Sequence, residues 1–419
     1  MVVTAGRVGP SHGAQCMDQV QLATGANVRV GEYSRISHGV HSAIVKGEDT
    51  SAILVDEGAD CSCFAVFDGH GGRRAADHGA ECLAPRLLSL GAAPSDASIA
   101  DLFWEADAEI GQSATDGATA TVLLVDGTGS PAGLLCTLAW VGDSRACIVD
   151  LSAEAGASEG PAIVGETTCH NGASAAERSR LEQTWRVCRH LREARNNKWA
   201  FLQPAAMTAM HYSLDAVKAA ANDLQISLGA DDAALMARTV ERGSKIDLAS
   251  DASDAVSPTS ALAPREHGGK LFLHKASHGV PLGGDISFSP ITSSTSTAVT
   301  RAIGDWDASR AIVPQPEILR VRCGSERCMR VVLASDGLWD FVTTEEARSI
   351  LCKYASSQAC AERLVAKAVD RSRRRLNRLK DDTTVIVVTL NPSGMPPPLS
   401  SGGGGNGCHS RCTSVCAVS

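Results

Sequence analysis

The sequence predicts a protein built from both β-strands and α-helices, and three observations lead to that prediction. Short runs of aliphatic and β-branched residues recur along the chain, as in 118–125 (ATATVLLV) and 383–390 (TTVIVVTL). Longer stretches between these runs space their apolar residues three and four apart, as in 73–90, which is typical of helices. Turn-forming residues such as Gly, Asp and Ser separate the runs. We therefore expect strands and helices that share a buried core.

Composition limits the classes of protein to which the chain can belong. It has 419 residues, of which 44% are hydrophobic, enough for one large domain or two smaller ones. Its formal net charge of -8 argues against a nucleic-acid binder that works by bulk charge. The 15 Cys residues form no C-x-x-C pair, and no run resembles a membrane span or a signal peptide. We therefore expect reduced thiols and a cytoplasmic or nuclear location.

The first half of the chain alternates predicted strands with one helical stretch. Residues 1–30 show no clear period, and we treat them as a variable N-terminal lead-in. Helix 73–90 contains Pro85, which predicts a kink or a break. Asp126 and Gly127 favour a hairpin between two of the strands. The predicted strands are 51–55, 63–67, 118–125, 134–141 and 146–149.

The second half contains a predicted insertion before strands and helices resume. Residues at about 200–297 alternate an Ala-rich helical pattern with stretches rich in Ser, Thr, Gly and Pro, so we expect part helix and part loop. Thr343 and Glu346 form a capping-box pattern at a helix start. The later elements are a strand at 330–334, helices at 345–354 and 359–375, and a strand at 383–390. We expect one domain over 31–391 and a flexible Pro/Gly/Cys tail over 392–419.

The stretch FAVFDGHGG at 64–72 concentrates the chemistry of the chain. An apolar run ends on the carboxylate of Asp68, and His70 and three glycines follow before a helical pattern begins. Such a turn offers a rigid carboxylate, a titratable ring and accessible backbone in one place. The sequence therefore predicts a site for a metal ion and for acid–base chemistry.

Carboxylates recur at the ends of the predicted strands, at Asp68, Asp143, Asp336 and Asp381. Each of them alone is more often a turn or capping residue. Mg²⁺ and Mn²⁺ prefer oxygen ligands, and two such ions roughly 3.5–4 Å apart can activate one water for attack on phosphorus. Because strands of one sheet can bring distant residues together, the four carboxylates favour a two-metal hydrolase.

Six blocks of the chain carry a resemblance to a known family. The sequence resembles the type 2C (PPM-type) metal-dependent Ser/Thr protein phosphatases, and Lys46-Gly47-Glu48-Asp49 resembles the KGED of a plant-like branch. The blocks follow the order of the family and span about residues 40–391. They are FAVFDGHGG (64–72), GATATVLLV (117–125), WVGDSRACIV (140–149), TRAIGDWD (300–307), VVLASDGLWDFVTTEEA (331–347) and KDDTTVIVV (380–388).

The resemblance implies a fold, an activity and cofactors. The fold would be α+β: a β-sandwich of two antiparallel sheets flanked by helices, in four αββα layers with the metals at one edge. The activity would be hydrolysis of phosphoserine and phosphothreonine on proteins by direct attack of a metal-activated water. The cofactors would be Mg²⁺ or Mn²⁺, two in each active site, with a weaker third position.

The resemblance also assigns roles to individual residues. His70 would be the general acid that protonates the leaving oxygen. The family carries an Arg four residues before the Glu of its acidic pair, where this chain has Ile44, so we expect Lys46 to bind the substrate phosphate. The metal ligands would be Asp68, the Gly69 carbonyl, Asp336 and Asp381, the acidic pair Glu48 and Asp49, and Asp143 and Asp340 around the third position.

Two other functions remain compatible with the sequence. A pseudophosphatase would use the same fold as a binding or regulatory module; the altered Arg position favours this alternative, and the complete set of carboxylates argues against it. A metal-dependent hydrolase of small phosphoesters is the second alternative. We expect phosphorylated proteins as partners, no nucleic acid, and a monomer.

Two basic or reactive segments lie near the C-terminus. Residues 371–380 carry five Arg and one Lys, which is either a patch that attracts acidic substrates or a solvated helix end. Cys416 begins a C-a-a-X ending with terminal Ser, a farnesylation signal, and Cys408 and Cys412 could be acylated as a second anchor. The alternative is a chance Cys in a Cys-containing tail. Modification of Cys416 would attach the protein to a membrane.

Overall fold

The computed structural model describes most of the chain between residues 35 and 391, with gaps. The described residues are 2–3, 21–24, 35–56, 61–127, 133–152, 161–171, 174–177, 179–181, 183–184, 186–187, 190–191, 214–239, 265–267, 270–272, 299–306 and 312–391. The predicted tail over 392–419 and most of the predicted insertion at 200–297 lie outside them.

Two six-stranded antiparallel sheets form the centre of the described part of the chain. The first sheet has the order β1 (Val2–Val3), β4 (Thr50–Asp56), β5 (Cys61–Phe67), β8 (Ala120–Asp126), β9 (Leu134–Val141) and β15 (Glu317–Cys323). The second has the order β11 (Ala162–Glu166), β10 (Arg145–Asp150), β16 (Met329–Ala334), β17 (Thr383–Leu390), β3 (Ile36–Ile44) and β2 (Gln21–Thr24). The predicted lead-in thus contributes two short edge strands.

Helices cover the outer face of each sheet. On the first sheet lie α1 (Arg74–His78), a π-helical turn (Gly79–Leu83), α2 (Ala84–Ser89) and α3 (Asp96–Ile110). On the second lie α5 (Asp336–Trp339), α6 (Thr344–Lys353) and α7 (Ser357–Leu376). Pro85 stands in the first turn of α2, directly after the π-helical turn, so the α-helix is interrupted in this stretch as predicted. The capping box of Thr343 and Glu346 is present.

The core has three layers of packed side chains, because each sheet is buried on both faces. In β5 the side chains of Cys63, Ala65 and Phe67 pack against α1–α3, while Phe64 and Val66 pack between the two sheets. This alternation follows from the two-residue period of a strand. The same division holds in β16 and β17, whose alternate residues face the other sheet or α5–α7. The predicted four-layer α+β sandwich is confirmed.

Smaller elements surround the sandwich. β6 (Gly69–His70), β7 (Gly117–Ala118) and β14 (Ile303–Gly304) form a three-stranded sheet. Within the predicted insertion lie α4 (Leu214–Asp223), helical residues 230–239, and the pair β12 (Arg265–His267) and β13 (Lys270–Phe272). None of the described helices is both long and apolar enough to cross a bilayer.

Candidate active site

The predicted carboxylates come from five loops at one edge of the sandwich. Asp68 follows β5, Asp143 lies between β9 and β10, and Asp336 follows β16. Asp381 precedes β17, and the acidic pair at 48–49 lies between β3 and β4. The strand registers bring these loops together, since Thr50 pairs with Phe67, Thr383 with Ala43 and Arg145 with Ala334. The common edge that the strand ends predicted is therefore present.

These carboxylates lie close enough to raise one another's pKa. Burial, and then the charge of Asp382, raises the pKa of Asp49 to about 7. Burial and the charge of Asp143 raise the pKa of Asp336 to about 7 as well. The pKa of Asp68 lies well above its ordinary value because of burial and four neighbouring carboxylates. Such mutual repulsion makes the edge a strong attractor for cations.

Two lysines place their ammonium groups among the carboxylates. Lys46 Nζ lies 2.7 Å from Asp381 Oδ2 and 3.9 Å from Glu48 Oε2. Lys380 Nζ lies 3.4 Å from Asp336 Oδ2 and also contacts Asp340. Part of the negative charge is thus balanced by side chains of the protein itself. All of the carboxylates assigned from the sequence lie at this edge.

The donor set fits hard divalent cations. No group of three or more His, Cys, Asp and Glu side chains in the described part of the chain converges into a preformed metal site. The available donors are carboxylate oxygens with raised pKa values, and Asp49 Oδ1 is buried without a hydrogen-bond partner. Oxygen donors with unsatisfied charge are the ligands that Mg²⁺ and Mn²⁺ prefer.

Asp382, which the sequence analysis did not assign, shapes the turn that carries the acidic pair. Its carboxylate is 1% exposed and accepts hydrogen bonds from the backbone N–H groups of Val45, Lys46 (2.7 Å), Glu48 (2.7 Å) and Asp49 (3.2 Å). These bonds bind the β3–β4 turn to the start of β17. Its position directly after Asp381 was the available signal, but a sequence does not reveal which of two adjacent carboxylates faces inward.

Gly69 allows the two key turns to meet. A Cβ atom at this position would lie 2.6 Å from the Glu48 carbonyl oxygen and 2.8 Å from the Gly72 carbonyl oxygen. Any residue with a side chain would therefore push the β3–β4 turn away from Asp68. The DGHGG turn needs its first glycine for this close approach, whatever its carbonyl binds.

His70 is held by a second aspartate that the sequence analysis did not assign. Its Nε2 lies 2.8 Å from Asp305 Oδ1 and 2.7 Å from Oδ2, and the Asp305 side chain is 5% exposed. Burial alone would lower the pKa of His70, but the charge and hydrogen bond of Asp305 outweigh it and raise the pKa. Asp305 stands in the block TRAIGDWD, which contributed to the resemblance without a role for this residue.

The three-stranded sheet of β6, β7 and β14 brings His70 and Asp305 together. His70 in β6 pairs with Gly117 in β7, and Gly117 pairs with Gly304 in β14, next to Asp305. A Cβ at Gly117 would lie 2.3 Å from the Asp305 carboxylate, so only glycine leaves space for it. Asp305 itself has φ of 56°, a left-handed conformation that is uncommon for residues with a side chain and that Asp adopts more readily than most.

The guanidinium of Arg73 contacts the turn that carries Lys46. Its Nη1 donates to the Gly47 carbonyl oxygen at 3.2 Å, and its Nε donates to Asp77 at 2.9 Å. Ile44, at the family's Arg position, is the last residue of β3. The structure therefore brings a second cation, missed in the sequence, to the turn where a phosphate-binding Arg was expected. Cys416 lies outside the described residues.

Comparisons with known proteins point to one family. The family model described as "Protein phosphatase 2C" matches residues 28–196 and 281–375. "Probable protein phosphatase 2C 12" of Oryza sativa subsp. japonica is 32% identical over 155 residues, which cover 36% of this chain and 38% of that protein. "Probable protein phosphatase 2C 12" of Arabidopsis thaliana is 35% identical over 86 residues, which cover 20% and 18%. These plant relatives are consistent with the plant-like KGED turn.

A solved structure can also be superposed on the chain. The serine-threonine phosphatase 2C from Toxoplasma gondii superposes with a TM-score of 0.49 and 16% identity, over 88% of this chain and 99% of that one. The chain spans less than two fifths of the length of the curated relatives described above.

Proposed function

Because the chain belongs to the protein phosphatase 2C family, we propose that it hydrolyses phosphoserine and phosphothreonine on proteins. The observation that carries this proposal is the edge of half-buried and buried carboxylates contributed by both sheets, with raised pKa values at Asp49, Asp68 and Asp336. A binding module has no need to retain such a repulsive cluster, which lowers the stability of the metal-free fold. The pseudophosphatase alternative is therefore not favoured.

Metal dependence is a property of this family, and we propose two Mg²⁺ or Mn²⁺ ions with a weaker third. Asp68, the Gly69 carbonyl, Asp336 and Asp381 would hold the pair, with support from Glu48 and Asp49. Asp143 and Asp340 would serve the third position. When bound, the ions would supply Lewis-acid chemistry that activates water and offsets phosphate charge.

The chain's own residues would position the substrate phosphate and handle the proton. Lys46 is our candidate for the phosphate, with Arg73 beside the same turn as a second cation. His70 holds a proton on Nε2 against Asp305. The protonated ring carries a second N–H on Nδ1, from which we propose that the proton passes to the leaving serine or threonine oxygen.

The test is release of phosphate from a serine phosphopeptide with Mn²⁺ present. We expect turnover by the wild type, loss of turnover with a chelator, and a loss of about a hundredfold or more in Asp68→Asn, because that carboxylate lies at the centre of the cluster. Asp231→Asn removes an exposed carboxylate that is not part of the cluster and should keep wild-type turnover. Full activity in Asp68→Asn, or none in the wild type, would contradict the proposal.

Two measurements separate the proposed protein phosphatase from a binding module and from a hydrolase of small phosphoesters. The first is a calorimetric titration with Mn²⁺. The wild type should bind Mn²⁺ at more than one site, and Asp68→Asn should lose that binding. Comparing kcat/KM for the phosphopeptide and for p-nitrophenyl phosphate then distinguishes a protein phosphatase from a hydrolase of small phosphoesters. A preference for the small ester would favour the latter.

We also propose the arrangement of the remaining chain. A lead-in over 1–30 would precede a phosphatase domain over 31–391 that carries the insertion at about 200–297, and the tail over 392–419 would present Cys416 for farnesylation. The protein would be a monomer of the cytoplasm or nucleus, or would be attached to a membrane through Cys416. Mass spectrometry of protein from its native cell tests the last point, and an unmodified C-terminal Ser419 would rule out prenylation.

A further inference from the structure

A group of exposed basic side chains lies where α7 ends and β17 begins. Arg373 and Arg375 lie in the last turn of α7, and Arg378 and Lys380 follow in the loop to β17. We call these four residues the basic strip. All four are exposed, and they occur on a chain whose formal net charge is -8. A local concentration of positive charge on an acidic protein favours a negatively charged partner.

The loop after α7 is built to keep the strip together. Asn377 ends the helix in a left-handed conformation with φ of 56°. The buried Ser372 donates from Oγ to the Arg378 carbonyl oxygen at 3.0 Å and accepts from the Lys380 N–H at 3.0 Å. These bonds fold the loop back against the helix. Arg378 and Lys380 are therefore held beside the last helical turn.

Neighbouring basic residues have carboxylate partners, and most of the strip does not. Arg371 pairs with Glu346, and Arg374 pairs with Asp370 at 3.0 Å. In the described part of the chain, the guanidinium groups of the three strip arginines have no hydrogen bond or ion pair. Cations in a last turn do interact favourably with the helix dipole. That effect fades within the turn and gives no reason for Arg378, which lies beyond it.

The strip begins at the edge of the sandwich that carries the carboxylates. Lys380 Nζ lies 3.4 Å from Asp336 Oδ2 and contacts Asp340, and the next residue along the chain is Asp381. A polypeptide that placed its phosphorylated residue at these carboxylates and ran towards the end of α7 would pass the strip. Leu376, 46% exposed, lies among the arginines and offers such a segment an apolar contact.

We infer that the basic strip binds an acidic segment of the phosphoprotein substrate, on one side of the phosphorylated residue. This inference rests on the proposed phosphatase function and adds a substrate class to it: phosphorylation sites flanked by Asp and Glu. An anionic membrane is the competing partner for exposed arginines. The direct contact of Lys380 with the carboxylate edge favours a peptide, because a bilayer bound there would cover the catalytic site.

A binding measurement tests the strip without relying on activity. The probes are fluorescein-labelled serine peptides without phosphate, one flanked by Asp and Glu and one by Gln and Ala, added to the full chain. Three exposed ion pairs of ordinary strength should make the acidic peptide bind about tenfold more tightly at low salt. The difference should shrink as salt rises, because the charges are exposed. Fluorescence anisotropy gives both dissociation constants.

Both variants remove three exposed positive charges at different places on the surface; among the control residues, Arg327 also pairs with Asp150. The strip variant carries Arg373→Gln, Arg375→Gln and Arg378→Gln, and should lose the preference for the acidic peptide. The control variant removes three exposed charges by R322Q, R327Q and K353Q and should keep the preference. In β15, Arg322 pairs with Leu135, at the end of β9 away from the carboxylate edge. Thermal melting confirms that both variants are folded.

Turnover links the strip to the substrate. With Mn²⁺ present, the ratio of kcat/KM for the acidic phosphopeptide to that for the neutral one should fall about tenfold in the strip variant, and stay unchanged in the control. If no phosphopeptide is hydrolysed but the binding preference persists, the proposed function fails and the acidic-segment site stands. If both peptides are hydrolysed and bound equally well by the wild type, the inference fails and the function stands.

Binding to vesicles of phosphatidylcholine with phosphatidylserine tests whether the strip binds an anionic membrane instead of a peptide. We expect the strip variant to bind these vesicles as the wild type does while it loses the peptide preference. Loss of vesicle binding with an unchanged peptide preference would overturn the inference and assign the strip to a membrane surface.

Discussion

At the scale of residues, the pair of His70 and Asp305 is the most specific arrangement of the site. Both carboxylate oxygens lie within hydrogen-bond distance of Nε2, which fixes the orientation of the ring. The glycine at 117 leaves room for the carboxylate, and the backbone of Asp305 adopts a left-handed conformation to present it. Strained conformations of this kind persist where surrounding structure requires them, often at functional sites.

If Asp305 orients His70 as a proton donor, its loss should depend on the leaving group. Asp305→Asn should lower kcat/KM for a serine phosphopeptide by about a hundredfold, because a serine alkoxide leaves poorly without a proton. Hydrolysis of p-nitrophenyl phosphate should fall much less, since p-nitrophenolate is stable unprotonated. Steady-state kinetics on both substrates measures the difference.

His70→Ala provides the comparison for this prediction. It should show the same dependence on leaving group, and adding Asp305→Asn to it should have little further effect because the two residues act as a unit. Equal losses on both substrates would show that Asp305 supports the fold around His70 rather than the proton transfer.

At the scale of elements, α7 connects the core to the site. Its first turn is fixed to β3, where Gln358 accepts a hydrogen bond from the Val40 N–H and donates to the Val40 carbonyl oxygen, each at 3.1 Å. This contact depends on Gly39, since a Cβ there would lie 2.3 Å from the Gln358 backbone nitrogen. The other end of the same helix carries the basic strip.

Replacing Gly39 by Ala should therefore destabilise the protein by about 1–3 kcal/mol, because α7 must shift away from β3. Gly324→Ala is the matched control: nothing lies within 4 Å of its added Cβ, so we expect little change. Urea unfolding gives both free energies of unfolding. A Gly39→Ala protein as stable as the wild type would mean that the helix and strand adjust without cost.

At the scale of the whole molecule, the site joins the two sheets. Asp68 follows a strand of the first sheet, whereas Asp336 follows a strand of the second sheet and Asp381 precedes another. Cations bound among them would link residues of both sheets at the edge where these carboxylates repel one another. Stability, pH and metal binding should therefore be linked.

The metal-free protein should lose stability as the pH rises from about 4, the ordinary carboxyl pKa, to about 7, the raised pKa of Asp49 and Asp336. In this window the unfolded chain has released protons that the folded protein still binds, so the free energy of unfolding falls as pH rises. The proposed Mn²⁺ ions would bind the folded, ionised edge and not the unfolded chain, so adding Mn²⁺ should restore the melting temperature, most strongly near pH 7.

Melting curves at several pH values, with chelator and with Mn²⁺, test this linkage. Asp49→Asn should flatten the metal-free slope, while Asp231→Asn, which changes an exposed carboxylate, should keep it. Two results would contradict the prediction: a metal-free protein that gains stability across this pH window, or a melting temperature that does not change when Mn²⁺ is added. Either would show that stability is not linked to the ionisation of this edge or to cation binding there.

The sequence by itself determined the elements and most of the chemistry. Strand and helix patterns are local, so runs such as 383–390 became β17 (Thr383–Leu390) with the predicted bounds. The capping box of α6 and the interruption at Pro85 are local for the same reason. The carboxylates at strand ends were also identifiable, because an acidic residue after an apolar run is visible in one dimension, and the ordered blocks identified the family.

Only the tertiary structure decided which distant residues act together. The contact between His70 and Asp305 joins residues that are 235 positions apart, and it depends on three short strands that no periodicity reveals. The inward turn of Asp382, the approach of Arg73 to Gly47 and the folding of the loop after α7 likewise depend on packing between elements. Side-chain identity is encoded locally, but the orientation of a side chain and its partner are set by the whole fold.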